Sequence, residues 1–439
     1  MVKQSVLSLH EAAGIPPVPL EIRGKSGLLS SAFRVDTLAA ASIGAASGAA
    51  AVYWELRGGP RARVELDLGH AELAFLSERL FKIAGNELEL WADLSGDYRT
   101  RDGWVRLHCN FPAHRAAAVR ALGGAPDRDA VTAACLERTS LEVEESVLAE
   151  GGAAAALRPR DEWAAFPHGP LVGLERLSDG PVVRSGAAAR PLEGVRVLDL
   201  TRVIAGPVAT RMLAAYGADV LRIGAAHVPE VPGLVLDMGF GKRSCHLDLR
   251  TEHGRACLRE LVATADVLVQ GYRPGALAAL GFGPERLREL NPSLVSVDVS
   301  AYEPGSPWYE RRGFDSLVQL ATGLAYAGED RPVPLPAQAL DHATGYLAAF
   351  AAIAGLVHRA TTGGSWHARS SLAGTARWLD SLGRREPAAA TPPPDDRIAA
   401  VDTPHGVLTF VLPPGRVSGQ APRWDSPPPL DGSSPPVWL

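Results

Sequence analysis

The most constraining feature of the sequence is an apolar segment between residues 336 and 364 that carries one acidic residue near its start. From Tyr346 to Val357 nearly every residue is Ala, Leu, Phe, Ile or Val. A helix with this pattern has no polar face, so we expect it to be buried on all sides. Asp341 precedes this run, and Gly345, one turn further on, is expected to leave room beside its carboxylate.

The local sequence allows two interpretations of Asp341. Aspartate is among the best helix N-caps and stabilises a helix by about 1 kcal/mol in that position. Alternatively, the free N–H groups and the dipole at the helix start keep the carboxylate ionised at neutral pH, which makes it a candidate nucleophile.

Length and composition narrow the class of protein. A chain of 439 residues can form two or three domains, and 46% apolar with 21% charged residues is typical of a globular protein. The net charge of −5 offers no broad basic surface, so we expect neither nucleic acid nor membrane as a partner. The N-terminus lacks a secretion signal, and residues 37–54 are too weakly hydrophobic to span a membrane. A cytoplasmic protein is therefore expected.

The cysteine pattern argues against disulfides and zinc. The four cysteines lie far apart and form no C-x-x-C pair. This spacing predicts reduced thiols and no structural metal site. The four positions are Cys109, Cys135, Cys245 and Cys257.

Proline-rich and glycine-rich stretches divide the chain. The first ordered unit contains a long Ala-rich helix and then a small α+β domain, whose hairpin turns at Asp102-Gly103. The predicted organisation is an irregular lead-in (1–30), the helix with the small α+β domain (31–170), a linker (171–190), an α/β domain (191–383) and a Pro-rich extended tail (384–439).

The larger domain alternates strands with helices, which predicts an α/β fold with an open, doubly wound, mainly parallel sheet of Rossmann-like type. Neither a G-x-G-x-x-G fingerprint nor a phosphate-binding P-loop is present. Sites in such sheets lie outside the carboxyl ends of the strands. We therefore expect Val203–Gly206, Tyr272–Gly275 and Ala301–Gly305 to surround one crevice.

An internal repeat relates the two Ala-rich helices. An offset of 305 positions, the difference between 341 and 36, brings Asp36 onto Asp341 and one Gly-Gly pair onto another. The repeat predicts that two Asp-headed helices pack side by side. Only one of the two aspartates needs to take part in a reaction, and the role of Asp36 stays open.

Six motifs in order carry a family resemblance: PLEGVRVLDLTRVIAGPVATRMLAAYGADVLRI, GKRSCHLDLR, ADVLVQGYRPGALAALGFG, NPSLVSVDVSAY, RRGFDSLVQLATGLA and LDHATGYLAAFAAIAGLVHR. Together they resemble the class III CoA-transferases, the family that includes formyl-CoA transferase, carnitine CoA-transferase and α-methylacyl-CoA racemase. Residues 33–170 resemble the part that follows the Asp-bearing helix in typical members. The two halves therefore stand in exchanged order here.

The resemblance implies a CoA-transferase with acyl-CoA and a carboxylic acid as substrates and with interlocked homodimers. It matches Asp341 to the nucleophilic aspartate of the family, which passes through a mixed anhydride to an aspartyl-CoA thioester. Such a covalent intermediate keeps the thioester energy, so neither ATP nor metal is required. Coenzyme A then takes part as a substrate.

The same resemblance assigns CoA contacts to seven further positions. For the apolar members, the alternative is an ordinary core role, and for the two arginines it is a solvated surface charge. The positions are Val203, Ile204, Leu247, Arg250, Tyr272, Leu280 and Arg312.

Three positions depart from the family pattern. Gly224 and Ala225 stand where many members have an acidic residue and an arginine, and Ala279 stands where an arginine is often found, so two phosphate-pairing groups are missing. Each lost charge-assisted contact to a phosphate removes about 1.5–3 kcal/mol of binding. Other basic residues are candidates to replace them, namely Lys242, Arg243 and Arg273.

Two further hypotheses accompany the transferase. The lost arginines and the exchanged halves also fit a catalytically silent acyl-CoA binding or partner subunit. The racemase branch needs a His/Asp acid–base pair, but Phe314 stands at that histidine position. His342 is interpreted as a structural histidine near the helix entrance, so racemization is the less favoured hypothesis.

Overall fold

The computed structural model describes residues 1–184, 186–326, 331–387 and 395–439. Ser185 of the predicted linker and residues 388–394 of the predicted tail lie outside the described residues. The helices are α1 (Val2–Ala12), α2 (Val35–Leu56), α3 (Leu68–Ala74), α4 (Ser77–Leu80), α5 (Pro112–Leu122), α6 (Arg128–Leu136), α7 (Ser140–Ala149), α8 (Arg160–Ala164), α9 (Ala205–Ala215), α10 (Pro232–Asp237), α11 (Glu252–Ala263), α12 (Ala276–Ala279), α13 (Pro284–Leu290), α14 (Asp315–Ala321), α15 (Ala339–Thr362) and α16 (Leu372–Ser381).

The strands belong to one large sheet and three small sheets. They are β1 (Leu20–Arg23), β2 (Val64–Asp67), β3 (Lys82–Ile83), β4 (Asn86–Glu87), β5 (Gly96–Arg99), β6 (Trp104–Leu107), β7 (Ala154–Ala156), β8 (Val172–Ser178), β9 (Arg196–Leu200), β10 (Asp219–Gly224), β11 (Lys242–His246), β12 (Val267–Gln270), β13 (Val295–Ser300), β14 (Ser365–Ser371), β15 (Ile398–Thr403), β16 (Gly406–Val411) and β17 (Arg416–Val417).

The large sheet confirms the predicted α/β fold class. Its seven strands run in the order β11-β10-β9-β12-β13-β14-β8, and only β8 is antiparallel. Numbered from β9, the parallel strands follow the order 3-2-1-4-5-6 that Rossmann-type sheets share. Strands β10 and β11 lie on one side of β9, and β12, β13 and β14 lie on the other. The strand order therefore reverses between β9 and β12, which places a crevice at their carboxyl ends. Continuous apolar runs such as VLVQ in β12 form these strands because both faces are buried.

Helix α15 is the centre of the main hydrophobic core. Every residue from Ala339 to Val357 is buried, as the absence of a polar face predicts. It packs against α2, α9 and the strands β13 and β14. Helices α2 and α15 are long and apolar enough to cross a membrane, yet the relevant windows are 94% and 100% buried inside the protein.

The two halves of the internal repeat meet in this core. Each consists of a helix, a strand and a helix: α2, β2 and α3 in the first, and α15, β14 and α16 in the second. Helix α2 packs along α15, as the repeat predicts. The α+β domain that follows the first half has its own core, built from β5, β6, β7 and helices α5, α6 and α7. Its hairpin turns at the predicted Asp102-Gly103 position.

Three segments are more regular than their composition predicts. In the lead-in, α1 forms because Val6 and Leu9 bury one face before the prolines begin. In the linker, β8 pairs with the open edge of β14. In the tail, β15 and β16 form a hairpin that pairs with β3, because the alternating residues Leu408 and Phe410 bury one face.

The described cysteines are unpaired, and three of the four are buried. Burial raises the pKa of Cys109, Cys135 and Cys245 to about 11, so these thiols stay protonated at neutral pH. Within the ranges that the structure describes, no group of three or more His, Cys, Asp or Glu side chains is placed to hold a metal ion.

Gly345 allows the close contact between α15 and α9. A Cβ atom at this position would lie 2.5 Å from the backbone oxygen of Ala205 and 2.7 Å from the Cβ of Val208. The expectation that Gly345 leaves room beside the carboxylate of Asp341 is therefore wrong. The space that this glycine leaves is filled by the start of α9.

We predict that Gly345→Ala destabilises the protein by about 1–3 kcal/mol, because the backbone of α9 cannot yield as a flexible side chain would. Urea unfolding measures this change. The matched control is Gly103→Ala, since a Cβ atom at Gly103 has no heavy atom within 4 Å. Equal stability of the two variants would contradict the packing role of Gly345.

Candidate active site

A cavity of about 550 Å³ opens at the carboxyl ends of β9, β12 and β13. Its size is that of a small-molecule site. Every site residue predicted from the sequence lines this cavity, although these residues are spread over more than a hundred positions of the chain. They are Val203, Ile204, Leu247, Arg250, Tyr272, Leu280, Arg312 and Asp341.

Asp341 is the third residue of α15 and lies at the cavity wall. The N-cap is Gln338, so the interpretation of Asp341 as the N-cap is wrong. Its backbone N–H donates to Oδ2 of Asp315 at 2.9 Å. The residue is 7% exposed, and among the described residues its carboxyl group has no hydrogen-bond partner. The side chain is thus held on a rigid element with its oxygens free for a ligand.

The ionisation expected from the helix dipole is not what the surroundings favour. Burial raises the pKa of Asp341 well above the usual aspartate range, and the nearby carboxyl groups of Asp315 and Glu78 raise it further. The expectation of an ionised carboxylate, drawn from the helix dipole, left out this opposing effect of burial. Desolvation and two acidic neighbours outweigh the dipole of α15.

His342 has a separate, structural partner. Its Nε2 lies 2.9 Å from Oε2 of Glu78, and its ring stacks on Phe75 at 5.2 Å between centroids. Burial raises the pKa of Glu78, but the charge and hydrogen bond of His342 more than offset it, and the net shift is downward. His342 is fully buried and does not line the cavity, which agrees with its interpretation as a structural histidine.

The turn between β9 and α9 approaches the same cavity with its backbone. Val203 adopts a φ of 70°, a strained conformation for a β-branched residue, which costs about 1–3 kcal/mol. Ala205 and Gly206, the first residues of α9, also line the cavity. First-turn N–H groups have no partner within their helix, so this end can donate hydrogen bonds to a negatively charged oxygen.

Five arginines line the cavity, and three of them pair with carboxylates. The pairs are Arg202 with Glu230 at 3.1 Å, Arg250 with Asp248 at 2.7 Å and Arg311 with Glu144 at 2.6 Å. Arg273 and Arg312 have no carboxylate partner among the described residues. Burial and the charge of Arg273 lower the pKa of Arg312. Two uncompensated guanidinium groups therefore favour an anion at this wall.

The structure selects one of the three basic residues considered as replacements. Lys242 is buried and donates to Oδ2 of Asp199 at 2.8 Å, while Arg243 pairs with Asp219 at 2.8 Å. Neither lines the cavity. Lys242 and Arg243 are therefore unsuited to contact a ligand there, and Arg273 is the one that faces it.

Sequence reasoning missed an aromatic wall that the α+β domain supplies. Phe111 and His114 line the cavity, and His108 stacks on Phe314 with 3.6 Å between ring centroids. Burial lowers the pKa of His114 to about 4, helped by Arg312 and two other arginines, so its imidazole is neutral at pH 7. About 200 residues separate the two sides of this wall, and only the run HCNFPAH hinted at a cluster.

Asp36, the repeat counterpart of Asp341, lies at a different place. Its Oδ2 accepts a hydrogen bond from Arg385 at 2.7 Å. It lines a separate cavity of about 380 Å³ together with residues of α1. Asp36 is thus outside the cavity of Asp341 and already has a cationic partner.

Comparisons with known proteins agree on one family. Residues 192–385 match the family described as CoA-transferase family III. An acyl-CoA transferase of Gibberella moniliformis is 31% identical over 309 residues, which cover 63% of this chain and 54% of the relative. A probable fatty acyl-CoA transferase of Mycobacterium tuberculosis is 36% identical over 191 residues, 40% of this chain and 48% of the relative.

A third relative is formyl-CoA:oxalate CoA-transferase of Escherichia coli, which is 34% identical over 188 residues. The match covers 39% of this chain and 45% of that enzyme. The chain thus spans about half the length of the curated relatives it matches.

We predict that His114 does not titrate near its ordinary pKa of about 6.5, but near 4, because its imidazolium form would be buried beside cations. Arg312→Ala should raise this pKa by removing one of the charges. Long-range ¹H–¹⁵N NMR of the imidazole measures both values. Arg286→Ala, on the exposed side of α13, is the control that leaves the value unchanged. A His114 titration near 6.5 in the unmodified protein would contradict this description of the cavity wall.

Proposed function

We propose that the protein moves CoA from an acyl-CoA donor to a carboxylic acid acceptor, and the match of residues 192–385 to CoA-transferase family III supports this proposal. The observation that carries the proposal is the position of Asp341. Its carboxyl group is fixed in the first turn of α15, has no hydrogen-bond partner among the described residues, and opens into the cavity that the predicted CoA contacts share.

The first half-reaction begins when the Asp341 carboxylate attacks the thioester carbonyl. The C–S bond breaks, the CoA thiolate leaves, and a mixed anhydride joins Asp341 to the acyl group. The thiolate then attacks the Asp341 carbonyl, which releases the donor acid and leaves an aspartyl-CoA thioester. The N–H groups of Ala205 and Gly206 are the groups proposed to stabilise the negative oxygen of each addition step.

The second half-reaction repeats these steps in reverse. The acceptor carboxylate attacks the aspartyl thioester, and the thiolate leaves again. The thiolate then attacks the acceptor carbonyl of the new anhydride, which forms the product acyl-CoA and restores the Asp341 carboxylate. Each step exchanges one acyl bond for another of similar energy, so the thioester energy is kept throughout.

Charge and shape of the cavity suggest how the substrate lies. Arg273 and Arg312 are the guanidinium groups free to bind the phosphates of CoA. Arg273 would take the place of the arginines expected at Ala225 and Ala279. The apolar residues Val203, Ile204, Leu247 and Leu280 face the same space and suit the pantetheine arm. Phe111 and Phe314 then border the acyl group.

The proposed assembly is a homodimer in the cytoplasm, as in the family that the sequence resembles. The α+β domain of the same chain contributes Phe111 and His114 to the cavity. A dimer is therefore not needed to supply this part of the wall, whichever way the two chains are linked.

The catalytically silent alternative is an acyl-CoA binding subunit. It gains support from the raised pKa of Asp341, because a protonated carboxyl group is a poor nucleophile. The two functions separate cleanly in experiment. The transferase forms a covalent CoA adduct on Asp341, whereas the binding subunit binds CoA with an affinity that Asp341→Asn does not change.

We predict that incubation with a panel of acyl-CoA thioesters gives a CoA adduct that peptide mapping by mass spectrometry places on Asp341. Asp341→Asn should abolish the adduct and reduce exchange of CoA onto labelled acids by at least about 10³-fold, because the nucleophile is gone. The repeat offers a matched control, Asp36→Asn, which should keep both signals. CoA binding without any adduct in the unmodified protein would favour the silent subunit instead.

We also predict that Arg312→Ala and Arg273→Ala each weaken CoA binding by about 10- to 100-fold, as the loss of a charge-assisted contact does. Isothermal titration calorimetry with CoA measures this change. Arg286→Ala should bind as the unmodified protein does, since Arg286 is exposed and pairs with Glu289. Unchanged affinity in both cavity variants would reject these arginines as phosphate ligands.

A further inference from the structure

Three carboxyl groups from three elements meet at the start of α15. Asp315 is the first residue of α14, Glu78 belongs to α4, and Asp341 lies in α15 itself. Asp315 and Glu78 are 0% and 1% exposed, and neither lines the cavity. Only Asp341 reaches the substrate space, so the other two act on the reaction through it.

Asp315 holds the backbone that carries Asp341. Its carboxylate accepts a hydrogen bond from the backbone N–H of Asp341 at 2.9 Å. This N–H group belongs to the first turn of α15, which has no cap from its own N-cap residue Gln338. The side chain of Asp315 thus replaces the missing cap from a different helix.

Gln319 fixes Asp315 in turn. Its amide nitrogen donates to Oδ1 of Asp315, and its amide oxygen accepts the backbone N–H of Leu335 at 2.7 Å. The segment before α15 and the first turn of α15 are therefore tied to α14 through one buried network. Movement of Asp315 would move both.

Hydrogen bonding favours a negative charge on Asp315 over one on Asp341. Burial raises the pKa of Asp315 to about 6, and the hydrogen bonds from the Asp341 backbone N–H and the Gln319 amide oppose this shift by favouring the ionised form. Asp341 receives none within the described residues. Two adjacent carboxylates in a dry site do not ionise together easily, so a negative charge on Asp315, the hydrogen-bonded member of the pair, disfavours ionisation of Asp341. The other titratable groups nearby are Glu78 and its partner His342.

We propose that Asp315 is a positioning residue for the reaction at Asp341: its carboxylate holds the first turn of α15, and its negative charge opposes ionisation of the Asp341 carboxyl group. The inference rests on the proposed role of Asp341 as the nucleophile. In this proposal the buried side chain of Asp315 fixes the orientation of Asp341 and also influences the pH range in which Asp341 becomes reactive.

Two variants separate these effects. Asp315→Asn keeps a side-chain oxygen to accept the N–H of Asp341 but removes the charge. Asp315→Ala removes both. Because Asp341 becomes reactive as pH rises through its own pKa, loss of the neighbouring charge moves the onset of reaction to lower pH. We expect a shift of about one pH unit in both variants, with a further loss of about tenfold or more in maximal rate for the alanine variant alone.

Two readouts test the shift. The first is the pH dependence of carbodiimide coupling of an amine to Asp341, mapped by mass spectrometry, which follows the protonated carboxyl group without any turnover. The second is the pH dependence of CoA adduct formation. Asp36→Asn should change neither profile. Circular dichroism and thermal melting establish that the Asp315 variants are folded.

The outcomes are distinct. Adduct formation in the unmodified protein, with identical coupling and rate profiles in Asp315→Asn, overturns the role of Asp315. A shifted coupling profile without any CoA adduct rejects the transferase and with it the reaction that Asp315 would serve. If Asp315→Asn does not fold, the unmodified protein still decides: coupling at Asp341 that is already lost by about pH 5 overturns the proposal, and coupling that persists to near neutral pH supports it.

Discussion

The fold depends on the complete burial of α15. A helix with an apolar residue on every side can be stable only inside a core, and here α2, α9 and the parallel strands cover it from all directions. This burial carries Asp341 into a dry environment together with the helix. A charge in such surroundings is costly, so burial raises the pKa of the Asp341 carboxyl group. The packing of α15 thereby determines the environment of the Asp341 carboxyl group.

The candidate site is assembled from segments that are far apart in the chain. The turns after β9 and β12 bring backbone and apolar contacts, the loop before α14 brings Arg312 and Phe314, and the α+β domain closes one wall with Phe111 and His114. Cavity geometry depends on which surfaces meet and not on the order of the segments along the chain, so these distant segments form one cavity.

Many residues of the site could be predicted from the sequence because a parallel sheet has a regular topology. In a parallel sheet all carboxyl ends lie at one edge, so Val203 and Tyr272 had to come close to each other. The position of Asp341 followed from the apolar run after it. The upward shift of its pKa did not, since the helix dipole is a local property, whereas burial beside Asp315 and Glu78 arises only after folding. The partners of Lys242, the β8 pairing and the aromatic wall likewise depend on contacts between distant segments.

The most direct test of the account is a crystal structure of the protein with a non-hydrolysable CoA thioether. We expect the methylene carbon that replaces the thioester carbonyl carbon to lie within about 3–3.5 Å of a carboxyl oxygen of Asp341, with the pantetheine arm along the turn after β9 and the phosphates beside Arg273 and Arg312. Coenzyme A bound elsewhere, or bound with its sulfur directed away from α15, would contradict the central claim that this cavity presents Asp341 to a thioester.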